Sequence, residues 1–76
     1  MVVNVGQLNR YTNKEDIVVV PGKVLGAGLL EHPVCVAAFA FSDVAESKIK
    51  KAKGKCLSIL QLMDERPNGS NVKIIG

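Results

Sequence analysis

Seventy-six residues allow one domain, which buries roughly 60% of the surface its unfolded chain exposes. Hydrophobic residues make up 47% of the chain and aromatic residues 4%, with no Trp; this excludes a disordered segment and requires a core of Val, Ile, Leu and Ala. The net charge is only +3, and no apolar run approaches the roughly 18–20 residues of a membrane span.

Met1-Val2-Val3-Asn4 shows neither the basic region nor the apolar block of a signal peptide, so a cytosolic protein is expected. Asn4 can cap a helix, with Gln7 three residues on as a capping box requires, and Val5, Leu8 and Tyr11 then fall along one side. Asn13-Lys14-Glu15-Asp16 reads as a polar loop. The next stretch is the most distinctive: Ile17-Val18-Val19-Val20, then Pro21-Gly22, then Lys23-Val24-Leu25, then Gly26-Ala27-Gly28. Pro supplies the first corner of a type II turn and Gly the positive φ of the second, so the residues predict a hairpin of two short strands, 17–20 and 23–25. Lys23 then sits beside the turn as a lone cation, either a solvated residue or a contact for an anion.

Leu29 and Leu30 are expected to dip into the core. His32 precedes Pro33, which favours extended geometry, and reads as an exposed loop residue. Val34 to Phe41 is continuously apolar, the pattern of a central strand covered on both faces, with Phe39 and Phe41 in the core. Ser42 or Asp43 caps the following helix, whose buried stripe is Val44, Ala45, Ile49 and Ala52. Gly54 is placed to end it in left-handed geometry. Lys55-Cys56-Leu57 is a short strand, and Ser58 caps a second helix with Gln61 completing the box and Ile59, Leu62 and Met63 on its apolar face. Residues 66–71 turn the chain into a last strand at 72–75.

Five of the ten basic residues lie between Lys48 and Lys55, without an acid among them. Such a cluster suits phosphate; a solvated helix end, its lysines matched to the helix dipole, is the structural alternative. Cys35 and Cys56 have no CxxC or Cys-x-x-His spacing, and one histidine cannot complete a zinc site, so both read as buried thiols, with a disulfide unusual in a reducing compartment. Catalysis finds no support: there is no carboxylate pair at a telling spacing and no Gly-x-Ser-x-Gly. Gly22-Lys23 is followed by Val24 where a Walker loop needs Ser or Thr, and Gly26-x-Gly28 lacks the third glycine of a dinucleotide loop. With so few rings, any nucleic-acid contact is expected to run through Lys and Arg to backbone and shape.

The stretch from Val18 to Gly28, with His32-Pro33-Val34, Val36-Ala37-Ala38, Phe41-Ser42, Lys53-Gly54-Lys55-Cys56-Leu57-Ser58-Ile59 and Pro67-x-Gly69-Ser70-Asn71-Val72-Lys73-Ile74, strongly resembles the large-subunit ribosomal protein family L-eighteen-e of archaea and eukaryotes, related to bacterial L-fifteen. The likeness runs from Val3-Asn4-Val5 and Arg10-Tyr11 across nearly the whole chain. It implies an α/β fold: one compact domain over 1–76 of irregular β-β-α turns, mostly short strands with two capped helices after the central strand. It further implies a structural, rRNA-binding component of the large subunit in the cytoplasm, without enzyme activity, cofactor or metal, contacting rRNA and neighbouring ribosomal proteins, with no membrane partner and monomeric outside the ribosome. Lys23, Lys48, Lys50, Lys51, Lys53 and Lys55, with Arg10, Lys14 and Lys73, are then the expected rRNA contacts. Members usually carry a basic, partly extended region ahead of Val3, so the chain is expected to be short at its N-terminus relative to the family. Lys53 stands where the family often has Gly. The alternative is a protein-interaction module that keeps the fold and has lost primary rRNA contact.

Overall fold

A computed structural model describes residues 1–65 and 72–75; the turn expected at 66–71 lies outside the described residues. The elements in chain order are β1 (Val2–Asn4), α1 (Val5–Tyr11), β2 (Ile17–Leu25), β3 (Cys35–Phe41), α2 (Asp43–Lys51), β4 (Lys55–Ser58), α3 (Ile59–Glu65) and β5 (Val72–Ile74). All strand pairs are parallel, β2 and β3 forming the centre and β4 an edge. The other edge of β2 is shared, β5 pairing with its first half and β1 with its second. Parallel pairing fits the apolar runs of β2 and β3.

The expected hairpin does not form. Residues 17–25 are one strand, and Pro21-Gly22 lies at a register shift: Val20 pairs with Ala38 but Lys23 with Ala40, so three steps along β2 match two along β3. This is also where the outer partner of β2 changes, from β5 opposite Ile17–Val19 to β1 opposite Lys23–Leu25. A proline without an N–H is tolerated at such an irregularity. Gly22 is needed because the chain leading into β1 crosses it: a Cβ there would stand 2.3 Å from the Met1 carbonyl oxygen. The Met1 carbonyl instead accepts the Lys23 N–H at 3.0 Å.

Val18, Val20, Val24, Val36 and Ala38 project from one sheet face against Val5, Leu8, Ala45 and Ile49 of α1 and α2, forming the aliphatic core. Ala37 points to the other face, where α3 lies against β3 and β4 and buries Leu62. Phe39, expected in the core, is 74% exposed, while Phe41 packs against the core. β4 pairs with β3 only as far as Ala38–Ser58 before α3 departs, leaving Phe39 without a strand on that side. Leu29, Val44 and Met63 are likewise exposed, whereas Leu30 packs on the core.

The helix caps follow the sequence closely. Ser42 Oγ accepts the Ala45 N–H at 3.1 Å, so Ser42 rather than Asp43 caps α2. At α3 the box is complete: Ser58 N–H donates to Gln61 Oε1 at 2.8 Å, and Gln61 N–H to Ser58 Oγ at 3.0 Å. At α1, Gln7 Oε1 accepts the Asn4 N–H at 2.8 Å, while Asn4 Oδ1 accepts from Ala27 N–H at 3.3 Å and so ties the helix start to the loop after β2. The end of α2 departs from expectation. Gly54 N–H donates to the Ile49 carbonyl and Lys53 N–H to the Lys50 carbonyl, both at 2.9 Å, a Schellman pattern in which Lys53, with φ of 66°, takes the left-handed position. Gly54 serves close approach instead, since a Cβ there would lie 2.4 Å from the Val34 carbonyl oxygen.

Candidate nucleic-acid interface

The lysine cluster of the sequence divides into groups with different surroundings. Lys48, on α2, turns inward and is half-buried; its Nζ donates to the carbonyls of Gly26 and Gly28, each at 2.6 Å. These are short, charge-assisted bonds that hold the glycine-rich loop against the helix. Lys50 and Lys51 remain outside, around a shallow hollow with Asp43, Glu46 and Ser47. Lys50 Nζ pairs with Glu46 Oε1 one turn back at 2.8 Å, and this bond holds the Lys50 ammonium above its ordinary pKa. Exposed pairs of this kind exchange partners at little cost.

Lys53 and Lys55, beyond the helix, meet Lys14 from the loop between α1 and β2. The three border a hollow of about 500 Å³ at the amino ends of β2, β3 and β4, whose walls also include Glu15, Ile17 and Cys35. All three lysines are exposed, and none forms an ion pair among the described residues. The loops around the hollow are laced by backbone bonds: Glu15 N–H to Pro33 O at 2.7 Å, Cys35 N–H to Asp16 O at 2.9 Å, and Lys55 N–H to Val34 O at 3.0 Å. Glu15, read only as part of a polar loop, has a φ of 66°, and nothing in its neighbours signals that conformation.

The remaining predicted contacts are dispersed. Lys23 is exposed on β2 between Val2 and Ala40, and Arg10 is exposed in the last turn of α1. Lys73, on β5, bonds Asp16 Oδ2 at 2.8 Å. The same carboxylate accepts the Asn13 N–H at 2.7 Å. The Asn13 amide, and after it Lys73, hold the Asp16 carboxyl below the usual aspartate pKa.

His32 is half-buried rather than exposed. The buried Thr12 hydroxyl donates to the Leu8 carbonyl, and His32 Nε2 lies 2.8 Å from the same oxygen. A hydroxyl has one hydrogen to give, so here the imidazole N–H is the donor to Thr12. Cys35 and Cys56 are both half-buried thiols and not joined by a disulfide. Cys35 pairs with Lys55 and Val36 with Cys56, so the alternation of the sheet sends the two sulfurs to opposite faces. Burial pushes the Cys56 thiol above its ordinary pKa, which keeps it protonated and a weak nucleophile. Among the described residues no group of three His, Cys, Asp or Glu is placed to hold a metal ion, and no helix is long and apolar enough to cross a membrane.

What remains as a surface for a partner is the hollow bordered by Lys14, Lys53 and Lys55, with further cations dispersed over the α/β frame. A family model described as "Ribosomal protein 60S L18 and 50S L18e" matches residues 2–76. The chain belongs to this family. Among curated eL18 relatives, described as large ribosomal subunit proteins, that of Methanospirillum hungatei is 52% identical over 73 residues, covering 96% of this chain and 60% of the relative. That of Methanococcus maripaludis is 51% identical, covering 96% and 61%, and that of Archaeoglobus fulgidus 48%, covering 96% and 62%. The chain therefore spans about three-fifths of the length of the curated L18e-type proteins it matches.

Proposed function

We propose that the chain is a structural constituent of the large ribosomal subunit in the cytoplasm, a single domain that binds rRNA through exposed lysine and arginine side chains and carries out no catalysis. Family membership is the observation that carries this reading. The primary contacts are the cations without an ion-pair partner among the described residues, namely Arg10, Lys14, Lys23, Lys51, Lys53 and Lys55. Lys50 and Lys73 are secondary, because each can leave an exposed carboxylate for a phosphate. Lys48 supports the fold, since its ammonium is engaged by two carbonyls. Neighbouring ribosomal proteins are the second class of partner.

Affinity of the chain for a large-subunit rRNA transcript, measured against salt, tests the proposal. Phosphate contacts release counterions, so six of them, one per cation, set a steepest log–log slope of about −4 to −5, and the slope becomes shallower by about 0.7–0.9 for each phosphate saved where cations share one. Failure to bind the transcript even at low salt would contradict an rRNA role. Association with ribosomal particles that resists both salt and ribonuclease would assign the surface to protein partners.

A further inference from the structure

The hollow at the amino ends of β2, β3 and β4 has features that the other basic surfaces lack. Its three cations come from two separate segments, Lys14 ahead of β2 and Lys53 and Lys55 around the start of β4, so only the folded chain brings them together. Among the described residues Glu15 is the one acid in the walls, against three lysines. The only two non-glycine residues with positive φ among the described residues, Glu15 and Lys53, both border it. Holding L-residues in that conformation is unfavourable, and such residues concentrate where local geometry serves a site. Lys53 is the sharper case. The Schellman end of α2 favours glycine at that position, yet it holds a lysine that lines the hollow. The location is also independent of fold habit, because open parallel sheets generally bind ligands at the carboxyl ends of their strands.

We propose that this hollow seats one phosphodiester group of the RNA strand, with Lys14, Lys53 and Lys55 converging on the same phosphate. This deepens the rRNA-binding reading and rests on it. The hollow is a ligand-sized concavity that admits a backbone phosphate with its flanking riboses. The backbone bonds from Glu15 to Pro33, Asp16 to Cys35 and Val34 to Lys55 fix the loops that carry the lysines, so little ordering is required on binding. With no ion-pair partner among the described residues, the three ammonium groups give up no such pair when they reach a phosphate.

The test uses the whole chain and a large-subunit rRNA transcript, with Lys14→Gln, Lys53→Gly, Lys55→Gln and the triple variant. Each single change is expected to weaken binding by about 3- to 10-fold, and the triple variant by less than the product of the three. Because one phosphate is shared, the triple variant should reduce the magnitude of the salt slope by only about 0.7–0.9. Lys53→Gly relieves the strained position, so weaker binding by a more stable protein cannot be ascribed to unfolding. A reduction of about 2 or more in the slope would mean three independent contacts and would overturn the shared seat. Unchanged affinity in the triple variant, with the wild-type chain binding normally, would remove the hollow from the interface but leave the rRNA role standing. No binding by the wild-type chain would overturn both. In a parallel arm, backbone amide shifts of residues 14–17 and 53–55 are followed during titration with inorganic phosphate. Saturation at micromolar phosphate would make this a free-anion site and contradict the proposal.

Discussion

Lys48 and Lys53 are five positions apart in one basic run, and their surroundings are opposite. Lys48 faces inward from α2, satisfying the carbonyls of Gly26 and Gly28 in a strain-free helical position. Lys53 sits beyond the helix end with φ of 66°, exposed and without an ion-pair partner among the described residues. One is a cation the fold uses; the other is a cation the fold holds out in an unfavourable conformation. Charge density along a sequence therefore does not measure charge available to a ligand.

The largest expected effect comes from Lys48. Lys48→Met keeps the stem length but leaves both carbonyls without their charged donor, and should cost about 1.5–3 kcal/mol in urea unfolding. A neutral result would show that water or another lysine replaces the ammonium and would weaken the contrast. Lys53→Gly should move stability the other way, by about 0.5–1 kcal/mol, the strain relieved exceeding the extra entropy lost by glycine on folding. Destabilisation would mean that the Lys53 side chain contributes packing not evident from its exposure.

Two exposed pairs sharpen the comparison at smaller scale. Lys50→Gln removes the bond to Glu46 and should leave the unfolding midpoint unchanged within error, because exposed i,i+4 pairs contribute little. A clear loss would place Lys50 with Lys48 as a fold-supporting residue. The Asp16 carboxyl is held down by the Asn13 N–H and Lys73. A depressed folded pKa contributes stability that is fully present above the unfolded value of about 3.9 and is lost as pH falls through the folded value. Acid unfolding of Asp16→Asn should accordingly show a shallower fall below about pH 4 than wild type, with the two converging at lower pH.

Local signals were the legible part of the fold. The capping residues Ser42 and Ser58 with Gln61, the apolar core strand beginning near Val34, and the paired Ala45 and Ile49 on α2 all depend on neighbours within a turn or two, and each appears in the structure. Pro21-Gly22 is ambiguous in sequence because the same dipeptide suits a type II turn and the break in strand pairing that the structure has. The deciding partner, the Met1 carbonyl, is twenty positions away. Gly54 is ambiguous for a similar reason: its close neighbour is Val34, just ahead of β3 and twenty positions earlier. Phe39 is exposed because β4 ends one step too early to cover it, which depends on where α3 begins.

For the candidate interface, the sequence contained the right residue types but not their division. The acid-free run from Lys48 to Lys55 identified where cations concentrate. It did not distinguish Lys48, whose partners lie in a loop twenty residues earlier, from its neighbours. Nor did it connect Lys14 with Lys53 and Lys55, which meet only because β2, β3 and β4 run parallel and present their amino ends together. Long-range register, invisible to local pattern, made both assignments.

The most direct test of this account measures rRNA affinity and unfolding free energy on the same preparations of Lys48→Met and Lys53→Gly, at a temperature where both are folded. Lys53→Gly is predicted to be the more stable protein and the weaker binder, by about 3- to 10-fold. Lys48→Met is predicted to be the less stable one, with affinity within about twofold of wild type. The reverse pattern, affinity lost at Lys48 and retained at Lys53, would contradict it.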